Sequence, residues 1–202
     1  MGVFTVVASA ILLSGGMDSI CIAFWQRPSH AITIDYGQLA AQAEIESAIQ
    51  ICNELNINHH ILTIDLGDLG SGDMAGKPID KNAPASDWWP YRNQMLITIA
   101  AMKAITLNIN QIIIGSVKTD SQHVDGTLGF IEKANSLLSF QEGNIEVVAP
   151  AINMSTQELI RESKIPLSLL FWAHSCHKAE VSCGHCRGCS KYFETWQNIL
   201  PS

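Results

Sequence analysis

The junction near the start of the chain, where a charge-free apolar run meets a pair of glycines, limits the fold more than any other feature. Val3 to Leu13 is apolar-leaning throughout and passes directly into Ser14-Gly15-Gly16-Met17-Asp18-Ser19. A run of this kind reads as a parallel strand buried on both faces, because only a half-exposed strand alternates apolar with polar residues. It is not expected to be a secretory leader: no Lys or Arg precedes it, the first being Arg27, and no cleavage-type sequence separates it from the glycines. It is also too short to span a bilayer. With no targeting signal in view, a cytoplasmic protein is expected.

The loop itself carries chemistry. Two glycines let the backbone turn tightly and aim several N–H groups at one point, and the helix that follows adds the positive end of its dipole. Ser14 and Ser19 supply hydroxyl donors. Together these form an anion site suited to nucleotide phosphates. The plainer alternative is a strand-to-helix turn capped by Asp18 or Ser19. Neither the Gly-Lys-Ser/Thr of a Walker A loop nor the Gly-x-Gly-x-x-Gly dinucleotide turn is present.

Downstream the chain alternates strand and helix. Strands are predicted at Val6 to Leu13, Ala31 to Asp35, His60 to Ile64, Gln111 to Ile114 and Ile145 to Val148. Helices are predicted at Asp18 to Gln26, Gln42 to Leu55, Asn93 to Leu107, near Phe130 to Leu138, after the Ser155-Thr156-Gln157-Glu158 capping box, and from about Ser190 to Ile199. Right-handed crossovers between such strands give a Rossmann-like α/β fold, a parallel sheet with helices on both faces. Ligands of such sheets bind at the carboxyl ends of the strands. Asp65 to Pro90 breaks the rhythm with four glycines and three prolines, and a lid is preferred to disorder there.

Residues 1–202 are expected to form one domain, with 172–202 as a metal-binding extension, since 202 residues at 47% hydrophobic content build one core but not two. The formal charge of −7 argues against broad nucleic-acid binding. No membrane contact is expected. Of six cysteines, Cys21 and Cys52 fall in apolar helical patterns and read as small core residues. The other four, Cys176, Cys183, Cys186 and Cys189, have the spacing C-x6-C-x2-C-x2-C with Gly184 and Gly188 between them. Four soft anionic ligands favour closed, tetrahedral, structural Zn²⁺ over an iron–sulfur cluster or a redox dithiol. The interleaved His174, His177 and His185 are read as neighbours of the site and not as ligands.

Ser-Gly-Gly-x-Asp-Ser after the first strand resembles the PP-loop of the N-type ATP pyrophosphatase superfamily, which has the adenine nucleotide alpha hydrolase-like fold. The loop and the four cysteines together resemble 7-cyano-7-deazaguanine synthases. Asp35-Tyr36-Gly37-Gln38, Pro90-Tyr91-Arg92-Asn93, Ala149-Pro150, Ser155 to Glu158 and Ser175-Cys176 extend that resemblance over essentially the whole chain. It implies ATP and Mg²⁺ as cofactors and a homodimer. ATP is then expected on Leu13, Ser14, Gly15, Gly16, Met17, Asp18, Ser19, Asp35, Tyr36, Gln38, Asn93 and Gly115. Ser14, Asp18, Ser19 and Arg92 are expected in catalysis, and Arg92, Lys118, Asp120 and Asp125 on the substrate. The implied reaction adenylates 7-carboxy-7-deazaguanine, displaces AMP with ammonia, and dehydrates the resulting amide to the nitrile after a second activation.

The substrate segment departs from the family. Where relatives carry Asp-Tyr-Ser-Gly-Tyr-Pro-Asp-Cys-Arg, this chain has Asp120-Ser121-Gln122-His123-Val124-Asp125-Gly126-Thr127. The Arg-His usual after Asp-Tyr-Gly-Gln is Leu39-Ala40, and a lysine usual in the capping segment is Thr156. The ATP and metal residues are thus kept while the substrate residues change. An amine on a partner protein is therefore an alternative acceptor to ammonia, and a tRNA thiolation or amidation step is a further enzymatic reading against which the acidic balance weighs. The non-catalytic alternative is a nucleotide-sensing or zinc-knuckle binding module, against which Asp18, Asp35 and Arg92 speak.

Overall fold

The computed structural model describes residues 8–199. Five strands form one fully parallel sheet: β1 (Ser9–Leu12), β2 (His30–Asp35), β3 (Asn58–Thr63), β4 (Gln111–Ile113) and β5 (Glu146–Val148), in the order β3-β2-β1-β4-β5. The α/β architecture expected from the sequence is the one observed. Each strand lies within one to three residues of its predicted bounds, apart from Val6 and Val7, which fall outside the described residues.

Because successive strand residues point to opposite faces, β1 feeds two cores. Ile11 joins α1 (Met17–Gln26), α2 (Ala41–Leu55), α6 (Thr156–Ser163) and Trp196 on one face. Ala10 joins α4 (Arg92–Thr106) and α5 (Leu128–Phe140) on the other. Ile11, Ile32 and Ile112 are fully buried, each such side chain contributing about 1.5–3 kcal/mol. The capping box forms as read: Ser155 Oγ accepts from the Glu158 N–H at 3.2 Å while the Glu158 carboxylate accepts from the Ser155 N–H at 2.7 Å. Two short helices, α3 (Gly72–Ala75) and α7 (Leu167–Leu170), and the C-terminal α8 (Arg187–Ile199), longer than predicted, complete the set among the described residues.

The long segment after β3 is ordered around an aromatic anchor. Trp89 is buried edge-on against Tyr36, with ring centroids 4.9 Å apart, and Met74 of α3 enters the same core. A second irregular stretch follows β4 as two 3-10 turns, Lys118–Gln122 and Val124–Gly126. Together with the cysteine segment, these two stretches overhang the carboxyl ends of the central strands.

Candidate active site

The carboxyl ends of β1, β2 and β4 open into a cavity of about 290 Å³ walled by the Ser14–Ser19 loop, Tyr36, Arg92, Gly115 and Lys191. Its floor is the loop. Gly15 has φ +71°, a left-handed value, and a Cβ there would lie 2.6 Å from the Glu44 carbonyl oxygen and 2.8 Å from Ser47 Cβ; only glycine fits without strain. The Gly15 carbonyl accepts from Ser47 Oγ (2.9 Å) and from the His174 N–H (2.9 Å), so both α2 and the segment entering the cysteines hold the turn. Ser14 Oγ and Ser19 Oγ are 3.2 Å apart, and Ser19 Oγ also donates to the Gly16 carbonyl at 2.9 Å. Gly115 lets β4 approach α1, since a Cβ there would meet Ser19 Cβ at 3.2 Å.

Two carboxylates and one lysine meet beside the loop. Asp18, in the first turn of α1, accepts from Lys191 Nζ at 2.8 Å, and Asp120 accepts from the same ammonium at 3.3 Å. Asp120 Oδ2 also takes the Val117 N–H (3.0 Å), whereas Asp18 Oδ1 is buried with no hydrogen-bond partner. Burial raises the Asp18 carboxyl above its ordinary range, with Lys191 pulling the other way.

On the opposite side stands Arg92. Its guanidinium donates to Met74 Sδ (2.9 Å) and Asn93 Oδ1 (3.3 Å) and makes no salt bridge among the described residues. A cation lining a cavity with no paired carboxylate is suited to an anionic ligand. Gln38 is buried, with its amide oxygen accepting from the Tyr36 N–H (2.9 Å) and its nitrogen donating to Glu44 Oε2 (2.8 Å). Burial pushes the Glu44 carboxyl up to about 7 in spite of that bond and the charge of Arg92.

The remaining expected residues fall into different positions. Leu13, Gly16, Met17 and Asn93 line the cavity. Asp35 does not; its Oδ1 accepts from the Gly37 N–H at 3.0 Å and shapes the turn after β2. Asp125 lies in an adjoining cavity of about 160 Å³. There its Oδ2 accepts from the Asn93 N–H (3.2 Å) and its carbonyl from Asn93 Nδ2 (3.0 Å), so it caps α4. Lys118 is exposed on its 3-10 turn and borders neither cavity.

The adjoining cavity holds residues that the sequence reading passed over. Asp87, from the long segment, accepts from Arg187 Nη1 at 3.1 Å, with His123 Nε2 at 3.3 Å and His177 Nδ1 at 3.7 Å. Burial would raise the Asp87 carboxyl, but Arg187 and the two histidines outweigh it and hold it below the usual carboxylate range. Lys178 Nζ meets Asp73 Oδ1 at 3.0 Å. Two ion pairs thus clasp the 65–90 segment to the cysteine segment. Runs of glycine and proline mark such a segment as irregular, but they do not say which distant cations its aspartates meet.

The four cysteines converge. Their Sγ atoms all lie within 4.8 Å of one another, with Cys183 and Cys189 at 3.9 Å and Cys176 and Cys186 at 4.0 Å. Backbone N–H groups of His177 and Cys189 donate to Cys186 Sγ, and that of Lys178 to Cys176 Sγ; burial nevertheless pushes the Cys186 thiol up to about 12 against the two bonds it accepts. The His185 backbone N–H draws the Cys183 thiol down to about 6. Such a set of thiolates can hold a metal ion. His174 and His185 bond to backbone carbonyls, and His177 faces Asp87, so none of the three joins the ligand set.

With this geometry in place, the family can be read directly: the family model described as Queuosine biosynthesis protein QueC matches residues 8–200. The chain belongs to the QueC family. Among curated QueC relatives, 7-cyano-7-deazaguanine synthase 1 of Desulfitobacterium hafniense (strain Y51) is 31% identical over 91% of this chain and 87% of its own. The 7-cyano-7-deazaguanine synthase of Chlorobaculum parvum is 29% identical over 95% of this chain and 92% of its own. Among solved structures, the U34-tRNA thiolase NcsA from Methanococcus maripaludis with its [4Fe-4S] cluster superposes with a TM-score of 0.54 at 18% identity, covering 95% of this chain. This QueC-family chain spans 64% of that thiolase's length, and the likeness extends to the fold alone. No helix among the described residues is long and apolar enough to cross a membrane.

Proposed function

We propose that this chain is an ATP-dependent 7-cyano-7-deazaguanine synthase that activates 7-carboxy-7-deazaguanine as its adenylate and delivers it to ammonia. The observation that carries the reading is one cavity in which the Ser14–Ser19 loop and the positive end of α1 face Arg92, a cation with no salt-bridge partner among the described residues. A carboxylate is a poor electrophile, and adenylation gives it a leaving group whose charge fixed donors can stabilise.

In this reading the N–H groups of the loop and the Ser14 and Ser19 hydroxyls hold the phosphates, and Gln38 keeps Glu44 away from them. Asp18 would hold Mg²⁺, which neutralises phosphate charge; its unpartnered Oδ1 fits a cation. Arg92 orients the carboxylate to be activated. The substrate oxygen bonds to the α-phosphorus as pyrophosphate leaves. Ammonia then forms the C–N bond as AMP leaves with the oxygen and a proton passes to solvent. The amide oxygen next attacks a second ATP with loss of pyrophosphate, and AMP leaves with that oxygen as the nitrogen gives up its remaining protons to form the nitrile.

The cysteines would hold Zn²⁺. A Zn–S bond of about 2.3 Å implies tetrahedral S–S edges of about 3.8 Å, near the 3.9 and 4.0 Å seen here. An iron–sulfur cluster enclosed by the same ligands would spread them wider. Residues 1–202 act as one unit in this reading, because Trp196 of the extension packs into the same core as α1.

A second reading, transfer to an amine on a partner protein, is favoured by one feature. Asp120 and Asp125, kept from an otherwise replaced substrate segment, are both engaged in capping backbone N–H groups. Mass spectrometry of a reaction with Mg-ATP, 7-carboxy-7-deazaguanine and ammonium separates the readings. Nitrile and AMP are expected. AMP without nitrile would favour the other acceptor, and intact ATP would overturn the adenylation.

A further inference from the structure

We infer that Lys191, delivered by the helix that follows the cysteines, is a catalytic residue of the adenylation step that stabilises the departing pyrophosphate. The inference rests on the adenylation reading above. Its physical basis is the charge arrangement at the loop. Asp18 stands in the first turn of α1 inside the anion site. A carboxylate there repels phosphate unless a cation offsets it. Lys191 Nζ supplies such a cation from this chain's own residues, 2.8 Å from Asp18 Oδ2 (the oxygen not assigned to Mg²⁺) and 3.3 Å from Asp120, and it lines both cavities.

The ammonium has three donors and no acceptor, and two of those donors are taken by the carboxylates. A third N–H therefore remains for a phosphate oxygen. A lysine serving only to tie α8 to the sheet would have no reason to sit on the wall shared by two cavities, since Trp196 already anchors that helix in the core. During adenylation the bond from the α-phosphorus to the bridging oxygen breaks, its electron pair stays on pyrophosphate, and the substrate carboxylate oxygen forms the new P–O bond. No proton is transferred; Lys191 stays an ammonium and faces the charge that grows on the leaving group.

The test is pyrophosphate–ATP exchange dependent on 7-carboxy-7-deazaguanine, measured with Mg-ATP affinity and zinc content in the wild type, Lys191→Met and Lys191→Arg. Lys191→Met is expected to lower the exchange rate about 100-fold while changing ATP affinity less than about fivefold and leaving zinc in place, as for loss of a transition-state donor. Lys191→Arg is expected to recover exchange to within about tenfold of wild type. Exchange by Lys191→Met within about threefold of wild type would overturn the role. So would parallel losses of exchange, ATP affinity and zinc in both variants, which would mark Lys191 as structural. Absence of exchange in the wild type overturns the adenylation reading and this role with it, whereas exchange in the wild type with an unaffected variant sinks the Lys191 role alone.

Discussion

The Ser14–Ser19 loop borders the larger of the two cavities and the clasp around Asp87 borders the adjoining one, and they are held by different means. Around the loop, Ile11, Leu13 and Ile20 are almost fully buried, Gly15 fits a space that no Cβ could share, and short bonds from Ser47 and His174 fix its carbonyl. Packing of this kind responds little to salt. The clasp instead joins the 65–90 segment to the cysteine segment through Asp87–Arg187 and Asp73–Lys178. Asp73, Lys178 and Arg187 are partly exposed, so solvent screening weakens both pairs although Asp87 itself is buried. If the chain carries out the two activations proposed above, a rigid floor for the nucleotide and a looser roof for the second substrate would suit it, since the roof would open between them.

The largest effect that would sharpen this contrast is loss of the proposed metal. If the four cysteines hold Zn²⁺, Cys186→Ser removes a buried ligand, and zinc binding is coupled to folding of its segment. Bound zinc should fall to near zero and the melting temperature should drop by more than about 10 °C. Hydrogen exchange should speed up in α8 and in residues 65–90 while β1 and α1 stay protected. Equal loss of protection in β1 and α1 would mean that floor and roof unfold as one unit.

A smaller effect is expected from the floor. Gly15→Ala forces a side chain into left-handed backbone against the Glu44 carbonyl, a strain of about 1–3 kcal/mol. Urea unfolding should show that loss with zinc content unchanged, and ATP affinity should fall at least about tenfold as the loop shifts. Normal ATP affinity in this variant would remove the loop from the phosphate site.

The smallest effect is in pH, where the two regions should differ in sign. Glu44 is raised to about 7 in the folded chain, so the folded state binds more protons than the unfolded one between the ordinary carboxylate range and that value. Stability contributed there falls as pH rises through that window. Asp87 is lowered, so its contribution is present above the unfolded carboxylate pKa and lost as pH falls through the folded one. Melting curves over about pH 3 to 8 should therefore lose their neutral-side slope in Glu44→Gln and part of their acid-side slope in Asp87→Asn. The same slopes in both variants as in the wild type would undo the contrast.

What the sequence disclosed follows the same division. The strands, α1, α2 and the Ser155 box were legible because each rests on periodicity or on residues a few positions apart. The clasp and the lysine beside the loop were not, because Arg187 meets Asp87 across 100 residues and Lys191 meets Asp18 across 173, and no local pattern marks such pairs. The start of α4 shows the intermediate case. The Arg92-Asn93 pair was visible, but its cap, Asp125, arrives from 32 residues further on. Lys118 was expected on the substrate only through the family resemblance, and it stands exposed on its 3-10 turn.

The span between Asp18 and Lys191 also orders events during synthesis. A ribosome adding about 5–20 residues per second needs on the order of 10–30 s to travel from one to the other. Throughout that interval the nascent loop lacks its lysine, and for most of it Gly15 lacks the bond from His174. In the reading proposed above, the nucleotide site is therefore complete only after α8 has been made, long after its loop, and a nascent chain that stops short of α8 would lack the cation that pairs with Asp18.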